Sequence, residues 1–350
     1  MTKRAAIILA GGKGKRFQTA QGTWQDKALA ELDGKPLLVH AIENVQDLVE
    51  EVVIVVNENK SRISQYHNIL EKLHVSNARI VTDLKCQNLS GPLIAILTGL
   101  KSANADYCIT VPCDMPLLSP KVAEYLFSEI NGAHVAVPMW PNGRLETLLM
   151  VLERKSTLEI ADALCKLGRS HPDDIIRGST KTLFVSPLDQ IKVLDPDLCS
   201  FVNINSQEDL SRLQPRQGQG SDPENRRLNL GPLPDEEIQR LVEASFKQDG
   251  SDFLDASKIF SVSAGRFEGE DLFFWAAVTR EYEAKSLLSL LEQAIEPELV
   301  KKINGALLKA AQNYGAEAKI YEENRCFWLS ERAKADKSWC EMQAEKLAAK

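Results

Sequence analysis

No apolar run in this sequence is long enough to cross a bilayer. The longest early one, AAIILA at residues 5–10, falls far short of the ~20 residues a transmembrane helix needs and is too short for the core of a secretory signal. The expectation is a cytoplasmic protein that does not engage a membrane. Excess basic charge is also missing. The formal net charge is -7, whereas a protein that coats nucleic acid needs a basic face to displace counterions, so nucleic acid is not an expected partner. Seven cysteines (86, 108, 113, 165, 199, 326 and 340) include no Cys-x-x-Cys pair. That excludes the usual spacing of a structural zinc site and gives no even disulfide framework, so reduced core thiols are expected. His40, His67, His74, His134 and His171 lack ligand spacing and read as structural residues. Two phosphate-loop signatures are absent as well. There is no G-x-x-x-x-G-K-[ST], and Phe17 stands where a dinucleotide fingerprint beginning at Gly12 and Gly14 would need its third glycine.

What is present is ordinary in composition, with 44% hydrophobic and 26% charged residues, which argues against wholesale disorder. A length of 350 residues suggests two domains. Through about residue 210, short apolar runs alternate with helical patterns. AAIILA, EVVIVVN, ARIVTD, DYCITVPCD, AHVAVP, ETLLMVLE and TLFVSP read as strands. Pro36 opens a helix that places Leu38, Ile42, Val45 and Val49 on one face, a second helix spans 60–73, and Pro92 opens a third. The expected fold is α/β, a mainly parallel sheet flanked by helices. Residues 214–234 are rich in glycine and proline and read as a linker. Beyond them Ile238, Leu241, Val242 and Phe246 mark a helix, with further helical patterns over 280–295, 297–313 and 331–349. The division expected is therefore 1–213, a linker at 214–234, and a smaller helix-rich domain at 235–350. The first segment is expected to fold and work alone.

Ligands of open parallel sheets bind at the carboxyl ends of the strands, and the polar candidates fall at those ends. Gly11 and Gly12 follow the first strand, Asn57 the second, Asp83 the third and Asp114 the fourth. Glycines let successive backbone N–H groups approach phosphate oxygens. A carboxylate at a sheet edge needs a partner, and magnesium takes one or two carboxylates together with substrate phosphates. Each feature has a plainer explanation: Asp114 as a turn cap ahead of Pro116, Asn57 and Asp83 as turn formers, and Lys13, Lys15, Arg16 and Lys27 as solvated loop charges.

The segments LAGGKGKRF, DKALAELDGKPLLVHAIENV, VVIVVNEN, IVTDLKCQNLSGPLIAILTGL, ITVPCDMPLLSP and FVNINSQEDL occur in the order and approximate spacing of the molybdenum cofactor guanylyltransferases. Residues 1–213 resemble that family of Rossmann-like nucleotidyltransferases. The resemblance implies that Leu9, Ala10, Gly11 and Gly12 bind base and phosphates, and that Lys27 contacts phosphate. It also implies that Asn57 and Asp83 belong to the guanine-nucleotide site, that Asp114 binds magnesium, and that Asn203 and Asn205 lie on the pterin side. Gln18 stands where the family has a glycine after the loop arginine, and Ala95 stands where its G-P-L-A-G pattern has the second glycine. Family members usually end near residue 213, so the remaining helices have no counterpart.

By this resemblance the substrates are GTP and molybdopterin, with Lys27 and Asp114 carrying the reaction; apart from it, a molybdoenzyme or cofactor-delivery protein is the partner expected to dock on the C-terminal part. The alternatives are CTP as donor to the same pterin, GTP with cobinamide phosphate, and a catalytically silent nucleotide-binding module that regulates or delivers cofactor.

Overall fold

The computed structural model describes residues 2–12, 26–73, 75–86, 89–211, 224–291 and 296–348. Lys13, Lys15, Arg16 and His74, and the first part of the expected linker, lie outside the described residues.

The chain opens with β1 (Arg4–Leu9), a two-stranded hairpin of β2 (Glu31–Leu32) and β3 (Lys35–Pro36), and α1 (Leu37–Glu43). Then come β4 (Glu51–Val56), α2 (Lys60–Leu73), β5 (Ala78–Thr82), α3 (Pro92–Ser102), β6 (Tyr107–Pro112), α4 (Pro120–Glu129), β7 (Val135–Pro138) and β8 (Met150–Glu153). They are followed by α5 (Arg154–Lys166), α6 (Asp173–Gly178), β9 (Lys181–Val185), and the short α7 (Lys192–Leu194) and α8 (Gln207–Ser211). β10 (Arg226–Asn229) precedes the long helices α9 (Asp235–Asp249), α10 (Phe253–Gly269), α11 (Phe273–Leu291), α12 (Pro297–Glu323) and α13 (Phe327–Ala348).

Eight strands form one sheet in the order β10-β9-β7-β8-β6-β1-β4-β5. β1 pairs in parallel with both β4 and β6, and β4 with β5. β8 runs antiparallel to β6 and β7, and β10 antiparallel to β9, against the direction of the other six. Side chains alternate across a strand, and β1 is buried on both sides. Ala5 and Ile7 join the core under α3 and α5, while Ala6 and Ile8 join the core under α1, α2 and α4. This two-sided burial explains why β1, β4 and β6 read as unbroken apolar runs.

Two expectations change on contact with the structure. Residues 226–229, within the expected linker, form a strand that pairs with β9 from Arg226↔Phe184 to Asn229↔Lys181. The run RRLN has little apolar signal because it is an edge strand that buries only Leu228. The helix opened at Pro36 stops at Glu43, and Val45 and Val49, though buried, flank a 3-10 turn at Gln46–Leu48.

The C-terminal helices form a chain of neighbours, α5 against α9, α9 against α10, and so on to α13. Their apolar residues Phe260, Phe267, Trp275, Tyr314 and Cys340 share one continuous core with Ile7, Val55, Leu93 and Leu164. The Trp275 indole donates to the Gly178 carbonyl at 2.8 Å. All seven cysteines are free thiols, five of them buried. Among the described residues no helix is long and apolar enough to cross a membrane.

Candidate functional site: a cleft at the carboxyl ends of four strands

In strand order β5, β4, β1 and β6 are neighbours, so the residues that follow them meet along one edge. A cleft of about 590 Å³ opens there, within the range of small-molecule sites. Its walls include Leu9–Gly12 after β1, Asn57 after β4, Asp83 after β5, and Cys113 and Asp114 after β6. Ser90, Gly91, Pro92 and Ala95 at and before the start of α3 form another wall, and Asp26, Lys27, Ala28, Leu148 and Asn205 also contribute.

At Gly11 the backbone lies close against the neighbouring strand end. A Cβ there would stand 3.1 Å from the Asn57 amide nitrogen, a tight contact with backbone, and 3.4 Å from Asp83 Oδ2, an ordinary one, so glycine eases the approach of this loop to the end of β4.

Lys27 crosses the mouth of the cleft. Its ammonium lies 2.6 Å from Asp114 Oδ2 and donates to Asn205 Oδ1 at 2.9 Å. The closing segment is brought in by backbone pairing, since the Ile204 amide donates to the Asp114 carbonyl at 2.9 Å. Asn203 goes elsewhere. Its side-chain amide faces the Phe201 carbonyl at 3.4 Å, and it is not among the lining residues.

From Asp26 in the lining a buried cluster extends inward that sequence reasoning missed. Asp26 caps the 3-10 turn at Lys27–Leu29 by accepting from the Ala28 amide at 3.2 Å. Its other oxygen accepts from Arg62 Nε at 2.7 Å and from the Tyr66 hydroxyl at 3.1 Å. The same guanidinium donates to Asn57 Oδ1 at 2.8 Å and to the Gly12 carbonyl at 3.3 Å. One Arg62 side chain, 3% exposed, therefore ties the glycine loop, the end of β4 and the residue before Lys27 into one frame. Burial and the Asp26 carboxylate push the Tyr66 phenol well above its usual range, so it stays a donor. The signal available was a misfit: Arg62 and Tyr66 are one turn apart on the face of α2 that also carries Leu70.

The electrostatics differ between the two cleft carboxylates. Burial pushes the Asp83 carboxyl up to about 6. Asp114 is held by Lys27 on one oxygen. Among the described residues, Oδ1 of Asp83 and Oδ1 of Asp114 are buried with no hydrogen-bond partner, an arrangement that costs energy unless a ligand satisfies it. No group of three or more His, Cys, Asp or Glu residues that could hold a metal by itself occurs among the described residues. A cation here would need oxygens from a substrate, which is how magnesium is bound in phosphate-handling sites.

A glycine loop, a lysine and two incompletely paired carboxylates meet at the carboxyl edge of this sheet, where open α/β sheets bind their ligands. Among known proteins, the family described as "MobA-like NTP transferase domain" matches residues 6–183, a nucleotidyltransferase domain. The chain is 31% identical over 213 residues to a probable molybdenum cofactor guanylyltransferase of Methanosarcina acetivorans, covering 60% of this chain and 89% of that protein. It is 29% identical over 215 residues to the probable molybdenum cofactor guanylyltransferase of Pyrococcus horikoshii, covering 59% and 97%. A solved structure titled molybdopterin-guanine dinucleotide biosynthesis protein A, from Archaeoglobus fulgidus, has 22% identity and a TM-score of 0.48 over 60% of this chain and 96% of that one. The chain belongs to the MobA-like NTP transferase family.

Proposed function

We propose that the protein transfers GMP from GTP to molybdopterin carrying molybdenum, releasing pyrophosphate and forming the guanine dinucleotide of the cofactor. The observation that carries this reading is the Lys27–Asp114 pair at 2.6 Å beside the unpartnered Oδ1 atoms of Asp114 and Asp83. The names of the relatives supply the guanylyl group and the molybdenum cofactor.

In this reaction an oxygen of the pterin's terminal phosphate forms a bond to the α-phosphorus of GTP as the bond from that phosphorus to the bridging α–β oxygen breaks. The nucleophile is already anionic, so no general base is needed, and catalysis rests on positioning and on charge neutralisation. Lys27 would place its ammonium on the phosphates, where it interacts most strongly as charge moves to the leaving pyrophosphate. Gly11 and Gly12 would offer backbone amides, Leu9 and Ala10 would contact the base, and Asn57 and Asp83 would bind the guanine nucleotide. Asp114, assisted by Asp83, fits a magnesium ion through its free Oδ1; the ion, when bound, neutralises phosphate charge. Asn205, through its bond to Lys27, would border the pterin side.

Purified protein given GTP, CTP or ATP with molybdopterin and magnesium should release pyrophosphate with GTP alone. Asp114→Asn should lower that rate by about a thousandfold or more, roughly 4 kcal/mol, with a nearly unchanged thermal midpoint. Turnover with CTP, or with cobinamide phosphate as acceptor, would replace this assignment with that of a related transferase. No turnover with any donor would favour a silent binding module.

A further inference from the structure

The C-terminal helices do not line the cleft, yet they hold one of its walls from behind. α3 begins at Gly91, whose φ of +146° is a conformation that favours glycine. A Cβ at this position would stand 3.1 Å from the Ser170 carbonyl oxygen. That same oxygen accepts from the Leu93 amide at 3.4 Å, one of the first-turn N–H groups that has no partner within its own helix. Ser170 therefore backs the Gly91–Pro92 wall directly.

Ser170 is placed in turn by its neighbour Arg169. The Arg169 guanidinium donates to Asp174 in the first turn of α6 at 3.0 and 3.1 Å, and to Asp336 of α13 at 3.1 Å. It also meets the Tyr314 hydroxyl of α12 at 3.5 Å. Asp336 accepts from the fully buried Arg177 at 2.7 Å as well, and Arg177 is gripped by both oxygens of Glu317 at 2.7 and 2.8 Å. The ring of Phe274 lies 4.6 Å from the Arg177 guanidinium. Charge-assisted bonds with several contacts of this kind fix a side chain in angle as well as distance.

We propose that Arg169 is a positioning residue, through which α12 and α13 hold Ser170 against the start of α3 and so set the nucleotide-binding wall of the cleft. This assignment rests on the nucleotide site described under Proposed function. It gives the helices that follow the family match a part in the same reaction.

The test uses the full chain and the variant Asp336→Asn, which removes the bundle's carboxylate from Arg169 while Asp174 and Glu317 still pair the two arginines. Two quantities are read well below the unfolding temperature. One is amide exchange over residues 91–95 without ligand, and the other is the Kd for GTP with magnesium chloride. Exchange should speed up, and Kd should rise by about fivefold while kcat stays within about twofold. Asp336→Glu should restore both. A folded Asp336→Asn protein with unchanged exchange and unchanged Kd overturns the assignment, because a bundle that serves stability alone would lower the thermal midpoint and leave both values where they were. If Asp336→Asn does not fold, Tyr314→Phe takes a single hydroxyl from the bundle side of Arg169 and is read the same way. If the unaltered protein binds no GTP, the nucleotide reading fails, and exchange in the variant still decides the role of Arg169.

Discussion

Two clusters of charge in this protein contain similar residues and differ in how completely those residues are paired. Between α6 and the C-terminal helices, Arg169 and Arg177 meet Asp174, Glu317 and Asp336, and Arg332 meets Asp173 at 3.0 Å. Arg177 and Asp174 have no exposed side-chain surface, and every charge named has an opposite partner. At the cleft, Lys27 occupies one oxygen of Asp114, and among the described residues the other oxygen has no partner, nor has Oδ1 of Asp83. Completed pairing locks a structure, whereas a carboxylate left incomplete at a cleft is held ready for something that arrives. Burial alone does not separate the two cases. The count of satisfied oxygens does.

The completed cluster should give the largest effects. Because α9 to α13 share a core with β1 and α3, a fragment ending at residue 211 would expose that core and take Glu317 and Asp336 away from Arg177. It should be insoluble or molten by near-ultraviolet circular dichroism, against the expectation that 1–213 folds alone. Within the full chain, Arg177→Ala leaves Glu317 buried without its arginine and Asp174 with Arg169 alone. It should cost about 3 to 5 kcal/mol in denaturant unfolding. A soluble fragment with intact transfer activity would reverse the comparison and make the bundle a separate domain.

The cleft pair should give the next effect, in rate rather than stability. Lys27→Ala is expected to lower kcat at least about a hundredfold, near 2.7 kcal/mol, with little change in the thermal midpoint. Single-turnover measurements on the variant check it. Lys15→Ala should cost less than tenfold. If Lys15→Ala is the more damaging, the phosphates are held by the glycine loop's own cations and Lys27 is a partner of Asp114 only.

The cleft was legible in the sequence to a greater degree than the bundle, for a physical reason. A strand buried on both faces writes an apolar run, and the residue after it is fixed in place by the sheet, so Gly11, Asn57, Asp83 and Asp114 could be placed together from spacing. Asn205 reached the cleft because Ile204 pairs with Asp114, but Asn203 did not: alternation along an extended segment would put it on the same side as Asn205, yet its side-chain amide turns to the Phe201 carbonyl at 3.4 Å. Arg62 was hidden because its use depends on Asp26 and Gly12, 36 and 50 residues away in the chain. α10 was not anticipated. Its buried stripe of Ala256, Phe260, Ser263, Ala264 and Phe267 has helical spacing, but serine and alanine carry little hydropathy. The Arg169–Arg177 cluster was equally invisible, as a charged residue in sequence gives no sign that its partner is 140 residues or more away.

The smallest effect concerns Asp83 and has the opposite sign. With its carboxyl pushed up to about 6 from an ordinary 3.8, the folded protein binds this proton more tightly than the unfolded chain. Stability from this group is therefore fully present below about pH 4 and is lost as pH rises through about 6. Asp83→Asn removes the cost of the buried charge. In chelator-treated protein the variant should match the parent near pH 4 and exceed it above pH 7, by about 1 to 2 kcal/mol once solvent screening is allowed for. Its nucleotide affinity should fall. Denaturant unfolding of both proteins across pH 4 to 8 checks the sign, and a variant less stable than its parent at pH 7 would mean that Asp83 has a structural partner and belongs with the completed cluster.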